Sequence, residues 1–181
     1  MATFTIRTYG DPVLRERADD IDNVDSSLVR LAADMVETMN AAPGVGLAAP
    51  QVGVRKRLFV YDVGEGPLTV VNPTIVEARG EFTYEEGCLS VPGLAWPIVR
   101  PDEVHLKGWD LDGNEVDIEA SEFLGRVLQH ELDHVDGVLL IEHLDPDQRK
   151  EAKRILRDRA LGYSPEPANR HLGRSGEARD L

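Results

Sequence analysis

Between Ser26 and Asn40 the apolar residues fall at Leu28, Leu31, Ala32, Met35, Val36 and Met39. Steps of three and four put them on one stripe of an amphipathic helix. Asp25 or Ser26 stands where an N-cap belongs, and Pro43 with Gly44 marks the stop. The pattern then changes. Residues 57–63 (RLFVYDV) and 68–80 (LTVVNPTIVEARG) are rich in β-branched and aromatic residues and predict strands, joined by the turn GEGP. Residues 81–94 predict an interrupted extended stretch, with Gly87, Pro92 and Gly93 as the interruptions. Residues 98–110 and 114–120 predict a hairpin about Asp112-Gly113.

Helical spacing returns at 121–137, where Phe123, Leu124, Val127, Leu128, Glu131 and Val135 share a face. Ser121 fits as the cap and Gly137 as the end. A last helix is expected over 145–162, with Pro146 in its first turn. The polar stretch after Gly162, with its prolines and glycines, is expected to be a poorly ordered tail. Strands joined by hairpins rather than by crossover helices imply an α+β fold. Antiparallel or mixed sheets would pack around the central helix 121–137, between an N-terminal and a C-terminal helix. The expected organisation is one catalytic domain over 1–162 and a tail over 163–181.

That central helix carries QHELDH, residues 129–134. On an α-helix His130 and His134 lie one above the other, so both imidazoles can reach one ion while Glu131 leans over it. His-Glu-x-x-His is a metallohydrolase signature for this reason. A polar face of an ordinary amphipathic helix would give the same letters. A catalytic ion needs a third ligand, and Glu142, His143 and the single cysteine, Cys88, are available. Cys88 sits in EEGCLS, beside a glycine that leaves its side chain room to turn. A Cys-His-His set suits Fe(II), Zn(II), Co(II) or Ni(II) and disfavours Mg and Ca. The small-residue stretch GVGLAAPQVG, 44–53, reads either as a tight helix-to-strand loop or as backbone kept bare for a ligand. Gln51 within it can donate to a developing oxyanion.

Composition narrows the classes. With 181 residues, a core is affordable but two domains are cramped. No apolar run is long enough to span a bilayer, and the N-terminus lacks a secretory h-region, so a cytoplasmic protein is expected. One cysteine suits a reducing compartment. The net charge of −13 argues against DNA or an anionic membrane as partners. The exception is local: Arg149, Lys150, Lys153, Arg154, Arg157 and Arg159 cluster in the last helix.

Taken in order, GVGLAAPQ (44–51), EGCLS (86–90) and QHELDH (129–134) resemble the three motifs of peptide deformylases. The resemblance covers about residues 4–160. It implies a hydrolase that removes the N-formyl group from the initiator methionine of new polypeptides. Cys88, His130 and His134 would hold one divalent metal, Fe(II) in the cell and Zn(II), Ni(II) or Co(II) as substitutes. Glu131 would be the general base and acid, and Gln51 and the Leu89 N–H the oxyanion donors. Gly46 and Gly87 would lie along the substrate, with Val45, Tyr84, Phe123 and Val127 around the methionine side chain. Glu86 and Arg100 would brace the cysteine loop, and Arg126 would snorkel at the pocket mouth or simply be solvated. The basic helix 147–159 would meet the ribosome, or is simply a solvated helix face; apart from the resemblance, a monomer is expected. Three rivals use the same letters: a peptidase with another third ligand, a structural metal staple closed by His105, Asp133 or His143, and a hydrolase of another acyl group.

Overall fold

The computed structural model describes residues 2–163; the tail expected over 163–181 lies, apart from Tyr163, outside the described residues. After a short 3₁₀ turn at Pro12–Arg15, helix α1 runs Ser26–Ala41. Asp25 caps it, its carboxylate accepting from the Ser27 and Leu28 N–H groups. Strand β1 (Gly46–Ala48) follows, then a 3₁₀ turn at Ala49–Val52, β2 (Leu58–Tyr61) and β3 (Leu68–Arg79). Next come β4 (Phe82–Gly87), β5 (Ala95–Arg100), β6 (Glu103–Trp109) and β7 (Glu115–Ala120). Helix α2 spans Glu122–Val135, a 3₁₀ turn Leu140–His143, and helix α3 Pro146–Ala160.

Every strand pair is antiparallel. One sheet has five strands in the order β1-β2-β3-β6-β7, and β4 with β5 forms a second. The fold is therefore α+β, as the sequence implies. No described helix is long and apolar enough to cross a membrane.

The sheet lies between two helices, and this explains the strand compositions. In β2, Leu58 and Val60 pack with Leu28, Met35 and Met39 of α1, while Phe59 and Tyr61 pack with Val127, Leu128 and Val135 of α2. A strand covered on both faces has no wet side, so it reads LFVY without alternation. β7 keeps one face in solvent and alternates as EVDIEA. A third cluster joins Cys88, Ile98, Leu139, Ile141, Ala152 and Leu156, so the apolar side of α3 packs behind the cysteine.

Helix α2 is held at both ends by residues outside it. Ser121 occupies the N-cap position, but its side chain makes no capping bond. Asp102 does that work, its Oδ1 accepting from the Glu122 N–H at 3.0 Å. At the other end the buried guanidinium of Arg57 donates to the Val135 and Pro73 carbonyls and to Asp136. Gly137, at φ 78°, then turns the chain as a left-handed residue.

Two expectations need correction. Residues 98–110 are not one strand, because Pro101 lacks an N–H and the chain changes sheets there, from β5 to β6. Residues 44–53 are not merely a loop. Gly46–Ala48 pair with Tyr61–Phe59, a strand too short and too glycine-rich for periodicity to reveal.

Phe59 is fully buried beneath α2. Phe59→Ala is expected to lower the stability of the metal-free protein by about 3–5 kcal/mol, read as a shift in the urea unfolding midpoint with an unchanged slope.

Candidate active site

Each of the three sequence stretches reaches the same point by a different route. α2 brings His130 and His134 with ring centroids 5.0 Å apart. Cys88 follows the last residue of β4, and its Sγ lies 3.3 Å from His134 Nε2. The ligand atoms of Cys88, His130 and His134 all lie within 4.8 Å of one another, and all three residues are buried. Donors around one tetrahedral ion would stand about 3.5 Å apart, so little adjustment is needed. His130 Nε2 has no hydrogen-bond partner despite its burial, which is the condition of an atom reserved for a metal. Among the described residues no fourth donor joins this group. The set therefore fits a metal and leaves a coordination position open, as a catalytic site requires.

The other candidate ligands are engaged elsewhere. Glu142 pairs with Arg15 and Arg149. His105 faces Asp117 across β6 and β7. His143 and Asp133 hydrogen-bond each other at 2.7 Å, and Asp133 also accepts from Arg100.

Behind the ligands lies a fully buried carboxylate, Glu86, with four hydrogen bonds. Its Oε1 accepts from Arg100 Nε and Arg126 Nη1, both at 2.7 Å. Its Oε2 accepts from Arg100 Nη2 and His130 Nδ1, both at 3.0 Å. A carboxylate has about four acceptor sites, and all are used. Burial opposes the charge of Glu86, but the hydrogen bonds from His130 and Arg100 outweigh it and hold the group well below the usual carboxylate range. An ionised Glu86 can only accept, so His130 carries a proton on Nδ1, and Nε2 is the ring nitrogen left without a partner.

Glu131 is the opposite case. It is fully buried, and neither carboxylate oxygen has a partner. Burial, and after it the nearby charge of Asp133, pushes its carboxyl well above the ordinary value. A dry carboxyl that prefers the proton suits proton transfer. Gly46 lies against it: a Cβ added there would come within 2.7 Å of the carboxyl carbon. A Cβ on Gly44 would meet the Leu89 side chain at 2.8 Å. The two glycines thus let the first stretch press against the other two. Gln51, fully buried, accepts from the Ala48 N–H at 2.8 Å and donates to Ser90 Oγ at 3.2 Å. Its carbonyl is anchored, so its amide is oriented, and a second N–H remains on Nε2.

The methionine-pocket candidates divide. Tyr84 and Phe123 are half-buried and tilt together at 5.6 Å between ring centroids. Val45 and Val127 are buried in the core between the sheet and α2, and Gly87 is buried at the end of β4. Arg126 is placed differently from expectation. It is neither snorkelling nor solvated, being 1% exposed and bound to Glu86, to the Ile98 carbonyl at 3.2 Å and to the Phe82 carbonyl. Sequence reasoning missed this because a lone arginine on a helix is usually wet. The available signal was its position four residues before His130, which puts it on the ligand face. Ser90 and Asp133 were also missed as partners of Gln51 and Arg100.

Comparison with known proteins points to one family. The family model for polypeptide deformylase matches residues 3–150. Peptide deformylase of Clostridium botulinum is 49% identical over 142 residues, 78% of this chain and 97% of that protein. That of Acidothermus cellulolyticus is 48% identical over 158 residues, 87% of this chain and 88% of the relative. The crystal structure of a peptide deformylase from Legionella pneumophila superposes with a TM-score of 0.84 at 41% identity, covering 91% of this chain and all of that one.

In the metal-free protein burial pushes the Cys88 thiol up, so it is protonated at neutral pH. Burial, with His130 beside it, pushes His134 down to about 3, so that ring is neutral. Metal uptake near pH 7 must then expel the thiol proton but none from His134. Titration calorimetry with Zn(II), in buffers of different ionisation enthalpy, is expected to show at least one proton released per ion. Affinity should rise with pH throughout the neutral range.

Proposed function

The chain belongs to the polypeptide deformylase family, and from that premise we propose that it removes the N-formyl group from the initiator methionine of newly made polypeptides, releasing formate. The observation that carries this reading is the meeting of Cys88, His130 and His134 at one point, together with the buried, unpartnered carboxyl of Glu131 on the same helix as the histidines.

A divalent ion held by Cys88, His130 and His134 would supply Lewis acidity, lowering the pKa of a water and drawing charge from the formyl oxygen. The donor set suits Fe(II), with Zn(II), Ni(II) and Co(II) as substitutes. Glu131 takes the proton as water attacks the formyl carbon and delivers it to the departing amine nitrogen. Its dry surroundings support the first step, since they raise its proton affinity. Gln51 Nε2 and the Leu89 N–H donate to the oxygen as charge gathers there. Gly46 brings backbone so close to Glu131 that even one added carbon would collide. The same tightness favours a formyl group, which has only hydrogen behind its carbonyl, over acetyl. Tyr84 and Phe123 offer the apolar wall for the methionine side chain.

The substrate places the reaction where proteins are made, so the cytoplasm, at the ribosome, is the fitting setting. Lys150, Lys153 and Arg157 are exposed on α3, and with Tyr9 this helix lines an open basic depression. That surface supports contact with ribosomal RNA. Its apolar side builds the cluster behind Cys88, so the contact must be tested by charge and not by deletion. Lys150→Glu with Lys153→Glu and Arg157→Glu is expected to abolish co-sedimentation with ribosomes at low salt while formyl-peptide hydrolysis persists. Unchanged co-sedimentation would sink this part of the reading.

The main test is formate release from formyl-Met-Ala-Ser by anaerobically prepared Fe(II) protein. Release is expected from the formyl peptide and not from acetyl-Met-Ala-Ser. Glu131→Gln should lower kcat about 10²–10⁴-fold with metal content unchanged. Full metal occupancy without formate release would refute the assignment. Gly46→Ala should lower kcat strongly with little effect on metal binding, since the added methyl displaces the Glu131 carboxyl.

A further inference from the structure

Arg126 plays no part in the chemistry above, yet it is fully buried in the machinery that aims a ligand. We propose that Arg126 is a positioning residue for metal binding: with Arg100 it clamps Glu86 from two sides, and so fixes the orientation of the His130 ring. The inference rests on the reading of Cys88, His130 and His134 as the ligands.

The geometry points this way in three respects. First, the guanidinium spans three acceptors, donating to Glu86 Oε1 at 2.7 Å, the Ile98 carbonyl at 3.2 Å and the Phe82 carbonyl. Two of these belong to β4 and one to β5, so Arg126 ties α2 directly to the hairpin that leads into Cys88. Its guanidinium also lies 5.5 Å from the centre of the Phe82 ring. Second, Arg126 and His130 are one helical turn apart and both end on Glu86, Arg126 on Oε1 and His130 on Oε2. Arg100 occupies both oxygens from the other side. With Arg100 alone, the carboxylate is gripped along one edge and can pivot. With both arginines it cannot, and the oxygen that receives His130 Nδ1 is fixed.

Third, the charges match. Arg100 and Arg126 face Glu86 and Asp133, two cations against two carboxylates, with Glu86 and both arginines buried and Asp133 partly open to solvent. Removing the charge at 126 leaves two carboxylates sharing one arginine, next to the Glu131 carboxyl. Such an imbalance in a buried cluster drives rearrangement. Outer partners of a metal-bound histidine commonly govern affinity about 10–100-fold.

The test reads metal binding rather than turnover. Metal-free parent, Arg126→Gln and Arg126→Lys proteins are titrated with Co(II) against a chromophoric chelator, and the visible spectrum of the bound ion is recorded. Circular dichroism and melting of the metal-free proteins check folding. Arg126→Gln is expected to weaken Co(II) binding about 10–100-fold and to alter the spectrum. Arg126→Lys, which retains a cation but not the fork, should fall between it and the parent. In a Glu86→Gln background the effect of Arg126→Gln should largely vanish, because the residue acts through that carboxylate. Parent-like affinity and spectrum in Arg126→Gln would overturn the inference, even with a lower melting temperature. An equal loss with and without Glu86→Gln would overturn it too. Should Arg126→Gln fail to fold, identical cobalt binding by Arg126→Lys and the parent overturns it. Cys88→Ala is the separate control: if it binds Co(II) as the parent does, the ligand reading itself fails.

Discussion

A single carboxylate, that of Glu86, has to be buried and charged at once, and much of the surrounding structure answers that requirement. An isolated ionised carboxyl in such a place would be prohibitively costly. It is tolerable because four hydrogen bonds converge on it from Arg100, Arg126 and His130. Each partner comes from an element with its own reason to be there. Arg100 ends β5, where Pro101 forces the chain to change sheets. Arg126 and His130 ride on α2, which Asp102 and Arg57 hold at its two ends. Pairs of this kind often contribute little to stability. What they give here is direction: an acceptor-only group on Nδ1 leaves Nε2 of His130 bare.

Three thin stretches of backbone meet around this point, and the meeting depends on atoms that are missing. Gly46 and Gly44 have no Cβ, and this lets the start of β1 touch Glu131 and the residue two before it touch Leu89. Burial then divides the two carboxyls. Glu86, saturated with donors, stays charged. Glu131, with none, has its proton affinity raised by burial. The same low-polarity interior gives opposite results because the partners differ.

The sequence makes the helices legible because Leu28, Met35 and Met39, or Val127, Leu128 and Val135, must face a sheet at helical intervals. It also makes the ligand letters legible, because QHELDH stacks two imidazoles by geometry alone. Other features depend on contacts distant in the chain. β1 exists only because Leu58–Tyr61 offers it an edge, and three residues cannot show a period. The capping of α2 comes from Asp102, twenty residues upstream, while the adjacent Ser121 only looks like a cap. Arg126 reads as surface because nothing local announces a carboxylate forty residues away. Buried charge is the category that pattern reading handles worst, since its partners are chosen in three dimensions.

The last helix belongs to the site more than its charge suggests. Ala152 and Leu156 complete the apolar cluster that contains Cys88, and Arg159 donates to the Pro92 carbonyl just beyond it at 2.5 Å. The chain is made from its N-terminus, so Cys88 and both histidines leave the ribosome before the segment that shelters the cysteine. The enzyme's own birth is thus ordered. Until α3 docks, the apolar cluster that contains Cys88 lacks Ala152 and Leu156. A chain cut short before residue 156 would carry Cys88, His130 and His134 with that cluster incomplete.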